Sequence, residues 1–181
     1  MNRIYHLIMC FGMAVLLAAC TGAGEKQKTA AVAPPASSGQ LLLLDLKDGQ
    51  VKIRLRPDLA PKHVERITTL ANQGFYDGIV FHRVIDGFMA QTGDPTGTGG
   101  GGSDYPDLMA EFSGEPFVRG TLGMARTNNP NSANSQFFIT FADAPWLNGQ
   151  YTVFGRVIEG MEHVDAIERG EPPANPDRII S

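Results

Sequence analysis

The sequence predicts a mainly β domain, a closed antiparallel barrel capped by two α-helices. Three features point there. Two β-like runs, residues 41–47 and 50–56, flank Asp48-Gly49, a dipeptide that favours tight hairpin turns. Further short runs rich in β-branched and aromatic residues follow, bounded by Gly, Pro, Asn or Asp. Only two stretches carry a helical period. Many short strands with few helices suit a barrel, although periodicity alone fits a sandwich as well.

In the second run Val51, Ile53 and Leu55 alternate with Lys52, Arg54 and Arg56, so one face is wet. Residues 61–73 read as a helix. Pro61 suits its first turn, Val64, Ile67, Leu70 and Ala71 form one apolar face, and Gly74 supplies the stop. Strands are expected at residues 79–85, 88–92, 120–126, 136–140 and 153–157. A second helix begins at Met161 or Glu162 and runs to Arg169, with Val164 and Ile167 inward; Ile179-Ile180 opens a last strand. His63 and His163 fall on expected helix surfaces and take no role. Residues 97–102 fail as a phosphate loop, because no Lys-Ser/Thr follows the glycines; they read as a mobile loop.

The N-terminal region has a different character. Residues 1–19 read as a signal peptide: Arg3 gives a positive start, and the apolar run from Leu7 to Ala19 is too short for a typical membrane span. Leu17-Ala18-Ala19-Cys20 resembles the lipobox of bacterial lipoproteins, which implies cleavage before Cys20 and lipidation on it. Membrane attachment would then come from acyl chains alone. Cys10 would leave with the signal, so the mature domain has no disulfide to form. Residues 20–39, rich in Thr, Gly, Ala, Pro and Ser, read as a flexible tether, and residues 40–181 as one domain. The net charge of −4 becomes −5 without Arg3, and no basic cluster exists, which argues against nucleic acid or an anionic membrane surface as partner. The expected location is the bacterial cell envelope, lipid-anchored and periplasm-facing in a Gram-negative host.

The segment from Val80 to Asp94 carries the functional signal. Arg83 lies among Phe81, Ile85, Phe88 and Met89, with Gln91 at the edge. A permanent cation beside an apolar aromatic pocket suits a neutral, ring-shaped peptide group with one polar atom to bond. Three further segments accompany it: Gly120-Thr-Leu-Gly-Met-Ala-Arg126, Ser135-Gln-Phe-Phe-Ile-Thr140, and Trp146-Leu-Asn-Gly-Gln-Tyr151 leading into Val153-Phe-Gly-Arg-Val157. Together these closely resemble the cyclophilin-type peptidyl-prolyl cis-trans isomerases, in the same order and over nearly the whole domain from about Leu41.

The resemblance implies an eight-stranded barrel with two helical caps and catalysis of X-Pro bond rotation. It assigns Arg83 as the catalytic residue and Phe88, Met89, Phe138 and Leu147 as the proline pocket. His82, Gln91, Ala125, Arg126, Gln136, Trp146 and Tyr151 match the rest of the substrate groove, with Ala125 and Arg126 acting mainly through backbone groups. Tyr151 and Arg126 stand where many eukaryotic members carry His and Asn. Trp146 is the residue type associated with cyclosporin binding, so a cyclosporin-type inhibitor is expected, along with proline-containing polypeptides as partners and a monomeric state.

The residues themselves suit that chemistry. Rotation about a peptide bond faces about 18–20 kcal/mol but breaks no bond, so no nucleophile, metal or cofactor is needed. Phe137 is expected to face the core, opposite Phe138, and His82 to face away from Arg83 as a packing residue near the groove. Gln91 is placed to orient the guanidinium or to hold the substrate carbonyl. A non-catalytic module that only grips proline peptides is the competing reading; an intact Arg83 and pocket favour the enzyme. A purely structural envelope lipoprotein explains residues 1–39 but not the groove.

Overall fold

The computed structural model describes residues 39–181. The expected signal peptide, Cys20 and all but the last residue of the tether lie outside them. Seven strands form one sheet: β1 (Leu41–Leu46), β2 (Gly49–Leu55), β3 (Arg83–Ile85), β4 (Met89–Thr92), β5 (Thr121–Met124), β6 (Phe137–Thr140) and β7 (Val153–Glu159). Their order is β1-β2-β7-β5-β6-β4-β3, and every neighbouring pair is antiparallel. The helices are α1 (Pro61–Asn72) and α2 (Met161–Asp165). None among the described residues is long and apolar enough to cross a membrane.

The sheet buries both faces. Phe137 and Ile139 of β6, Leu122 and Met124 of β5, and Ile53 of β2 pack with Val64, Ile67 and Leu70 of α1 and Val164 of α2. Phe138 points the other way, into a smaller cluster with Met89, Phe117, Leu147 and Val153. This alternation follows from the two-residue period of a strand and places Arg83, Gln91 and Phe138 on one face.

α1 ends as its sequence directs. Gly74 is left-handed at φ 68°, its N–H donates to Ala71 O at 2.9 Å, and Phe75 N donates to Leu70 O at 3.0 Å. Its N-terminus is capped from far away. The Glu111 carboxylate accepts from Lys62 N and His63 N at 3.1 Å each through Oε2, and Nδ1 of His63 lies 2.6 Å from the same oxygen. His63, expected on the surface, is therefore completely buried. His163 is half-buried against Gly49, where an added Cβ would sit 2.4 Å from its Nε2.

Four other expectations change. The hairpin turn is Lys47-Asp48, because Leu46 pairs with Gly49. Of the strand expected over residues 79–85 only β3 forms a ladder, since Gly78, Ile79 and Phe81 bond instead to the last residues of the chain. α2 stops at Asp165, where the Arg169 guanidinium donates to the Asp165 and Ile167 carbonyls and takes over their hydrogen bonding. The sheet is a curled seven-stranded half-barrel rather than a closed eight-stranded barrel. Residues 177–181 span the seam between β1 and Gly78–Phe81 with bonds such as Ile180 N to Asp45 O at 2.8 Å and Phe81 N to Asp177 O at 2.9 Å. Val80 with Arg178 forms one isolated bridge there, and not the consecutive pairs that would make an eighth strand.

Candidate active site

Strand register builds the floor of the site. Arg83 of β3 stands opposite Gln91 of β4, Gln91 opposite Phe138 of β6, and Phe138 opposite Gly123 of β5. Residues directly opposite share a face, so a charge, an amide and an aromatic ring form one row across four strands. Gly123 completes it by having no side chain: a Cβ there would lie 2.5 Å from Phe138 Cζ and 2.7 Å from Phe117 Cε1.

Above this row lies a cavity of about 250 Å³ lined by Arg83, Phe88, Met89, Gln91, Ala125, Arg126, Phe138, Leu147 and Tyr151. Its base is aromatic and apolar. Phe138 stacks on Phe117 at 5.7 Å between centroids and meets the edge of Tyr151 at 5.8 Å. Met89 and Leu147 are buried beside it. Leu147 arrives on a 3₁₀ turn, Pro145–Leu147, with Pro145 fixing the backbone at its start. Trp146, on the same turn, is 58% exposed and tilts against Phe88 at 5.7 Å, so it forms an outer rim and does not line the cavity.

The polar groups divide into those already engaged and those left free. Arg126 is engaged: its guanidinium carbon lies 4.3 Å above the Tyr151 ring, and its terminal nitrogens donate to Thr127 O at 2.8 Å and Gln150 O at 3.0 Å. Gln91 Nε2 donates to Gln136 Oε1 at 2.8 Å, and Gln136 Nε2 donates to Gly101 O at 2.8 Å and Gly99 O at 3.0 Å. Gln91 is thus committed to Gln136, and the Arg83 guanidinium is oriented by Glu171 and not by Gln91. Arg83 is partly exposed, and its Nε donates to Glu171 Oε2 at 2.7 Å.

A second, polar cavity of about 350 Å³ shares Gln91, Ala125 and Arg126 with the first and continues to the glycine loop, Ser103 and Asn134. That loop has a defined architecture. Asp94 Oδ2 accepts from Thr98 N, Gly99 N and Gly101 N at 2.6–3.1 Å, and Oδ1 accepts from Thr96 N at 2.8 Å. Burial pushes the Asp94 carboxyl up, but the Thr96 hydroxyl and the backbone donors outweigh it and hold the carboxyl down at about 2. His82 lines neither cavity. It is buried beneath the loop beside Gly99, and burial holds its imidazole below the usual range.

Glu171 and Asp94 escaped the sequence reading for different reasons. Glu171 lies 88 residues from Arg83 and meets it only through folding. Asp94 carries a sequence signal in Thr96, Thr98 and the five glycines between positions 97 and 102, the residues that let a backbone wrap a carboxylate.

The profile of the cyclophilin-type peptidyl-prolyl cis-trans isomerases matches residues 41–181. The chain belongs to that family. It is 56% identical over 169 residues to a probable peptidyl-prolyl cis-trans isomerase of Brucella suis biovar 1 (strain 1330), covering 84% of this chain and 85% of the relative. It is 46% identical over 126 residues to peptidyl-prolyl cis-trans isomerase-like 3 of Rattus norvegicus, covering 67% of this chain and 77% of the other. Among solved structures, a cyclophilin-type isomerase of Cryptosporidium parvum superposes with a TM-score of 0.74 at 34% identity, over 79% of this chain and 95% of that one. The same relative in the presence of the dipeptide Ala-Pro gives 0.73 at 33% identity, over 78% and 96%. This cyclophilin is a peptidyl-prolyl cis-trans isomerase.

Proposed function

We propose that this isomerase turns X-Pro bonds in folding or partly folded proteins of the bacterial cell envelope, with Arg83 stabilising the twisted amide above the apolar pocket. The observation that carries the mechanism is the placement of a guanidinium with free donors at the edge of a cavity floored by Phe138, Met89 and Leu147. In the planar amide the nitrogen lone pair is delocalised; at the twisted geometry it is released and can accept a hydrogen bond. Arg83 cannot deprotonate, so the donor is always present. A donor that bonds the twisted form and not the planar one accelerates the reaction by differential binding.

Arg83 supplies part of the effect. A million-fold acceleration needs roughly 8 kcal/mol, and one hydrogen bond to a charged group contributes about 1.5–3 kcal/mol. The rest comes from seating the proline ring against Phe138, Met89 and Leu147 while the preceding residue turns, and from removing water that solvates the planar amide better. The Ala-Pro dipeptide used with the Cryptosporidium parvum relative is of the same ligand class. Cyclosporin-type inhibitors are expected to dock at the aromatic rim, where Trp146 lies 5.7 Å from Phe88. The protein acts as a monomer, with no nucleic-acid partner, held to the membrane only by lipid on Cys20.

A proline-peptide isomerisation assay on wild type and Arg83→Ala tests the activity, with acceleration by wild type and a large loss in the variant expected. No acceleration by wild type would favour a binding module instead. Lipid labelling in a bacterial host, lost in Cys20→Ser, tests the anchor.

A further inference from the structure

We propose that Glu171 is the residue that positions Arg83 for isomerisation, which rests on the reading of Arg83 as the donor to the twisted amide. Val84 and Gly170 exchange two backbone hydrogen bonds, each 2.8 Å, in an isolated antiparallel bridge. That register puts Glu171 directly opposite Arg83 on the side away from Gln91. The row across the sheet therefore begins with a carboxylate, and Glu171 Oε2 takes the Arg83 Nε–H at 2.7 Å.

A guanidinium presents its donors in a rigid planar fork. Holding the Nε edge fixes the plane and leaves the two terminal nitrogens, which make no hydrogen bond among the described residues, at the cavity that Arg83 lines. Without that anchor, Arg83 is a long, partly exposed side chain on a three-residue strand. Gln91, the other neighbour in the row, is already committed to Gln136. The anchor is itself held in place: Gly170 has φ 151°, a Cβ there would lie 2.5 Å from Pro173 Cα, and Glu168 N donates to Asp177 Oδ2 at 2.8 Å.

The test is a double-mutant cycle in the full-length chain, with kcat and KM on a proline peptide and thermal unfolding measured for each variant. Glu171→Ala should lower kcat roughly three- to tenfold, with KM changed less than about twofold and the unfolding temperature unmoved. In an Arg83→Ala background the same change should have no further effect. Glu171→Gln, which keeps an acceptor oxygen, should recover part of the loss. An equal fold-loss in both backgrounds, or unchanged kcat in Glu171→Ala while Arg83→Ala is slow, would overturn the positioning role alone. Unchanged kcat in Arg83→Ala would overturn the donor reading and the positioning role with it.

Discussion

Gly123 stands directly opposite Phe138 across β5 and β6, and the Phe138 ring occupies the space that a side chain at position 123 would need. The floor of the cavity thus depends on a missing methyl group. Gly123→Ala would drive a Cβ into Phe138 and Phe117, which already stack at 5.7 Å. We expect a stability loss of about 1–3 kcal/mol in urea unfolding, with a raised KM for proline peptides. Unaltered stability and KM would show that the rings can move aside freely.

Asp94 gives the glycine loop a pH dependence. Its carboxyl titrates at about 2 in the folded protein against 3.8 ordinarily. A depressed folded value means the contribution is complete above the unfolded value and is lost as pH falls toward the folded one. The linkage amounts to about 2 kcal/mol, lost progressively between about pH 4 and pH 2. Asp94→Asn should lower stability at neutral pH by a similar amount and flatten the decline over that acid range. Because the loop carbonyls of Gly99 and Gly101 hold Gln136, peptide binding should weaken too.

Glu111 caps α1 across 49 residues of sequence and faces the buried His63. Glu111→Ala removes the acceptor for two helix N–H groups and for the imidazole at once. A cap alone is worth about 0.5–2 kcal/mol, and an unsatisfied buried partner adds to that. Chemical denaturation should show a loss at the upper end of that range or beyond, while kcat on a proline peptide stays within about twofold.

Trp146 lies at the rim, with its ring against Phe88 at 5.7 Å. If a cyclosporin-type ligand docks there, Trp146→Ala should weaken inhibition by roughly tenfold or more, as expected for a lost aromatic anchor, and change isomerisation of short peptides much less. Inhibition absent in wild type at micromolar drug would contradict the docking.

The features set by chain-local chemistry were legible in the sequence. The alternation of Phe137 and Phe138 follows from strand period, and the end of α1 at Gly74 follows from glycine's freedom at positive φ. What was not legible depends on distant pairing. His63 occupies a helical position that suits a surface residue, and only the distant Glu111 carboxylate makes its burial possible. The seam at residues 177–181 could not be read from two isoleucines, since pairing length depends on both partners. Glu171 was invisible because the bridge that brings it to Arg83 consists of Val84 and Gly170, neither of which has a polar side chain to signal the contact.

On the proposed mechanism Arg83 acts on the twisted amide and not on the ground state. Measuring exchange rates and affinity separately for one proline peptide, by NMR on wild type and Arg83→Ala, tests it most directly. Catalysed exchange should fall roughly 10- to 150-fold, equivalent to one charged hydrogen bond, with affinity changed only a few-fold. Equal losses in exchange rate and affinity would contradict it.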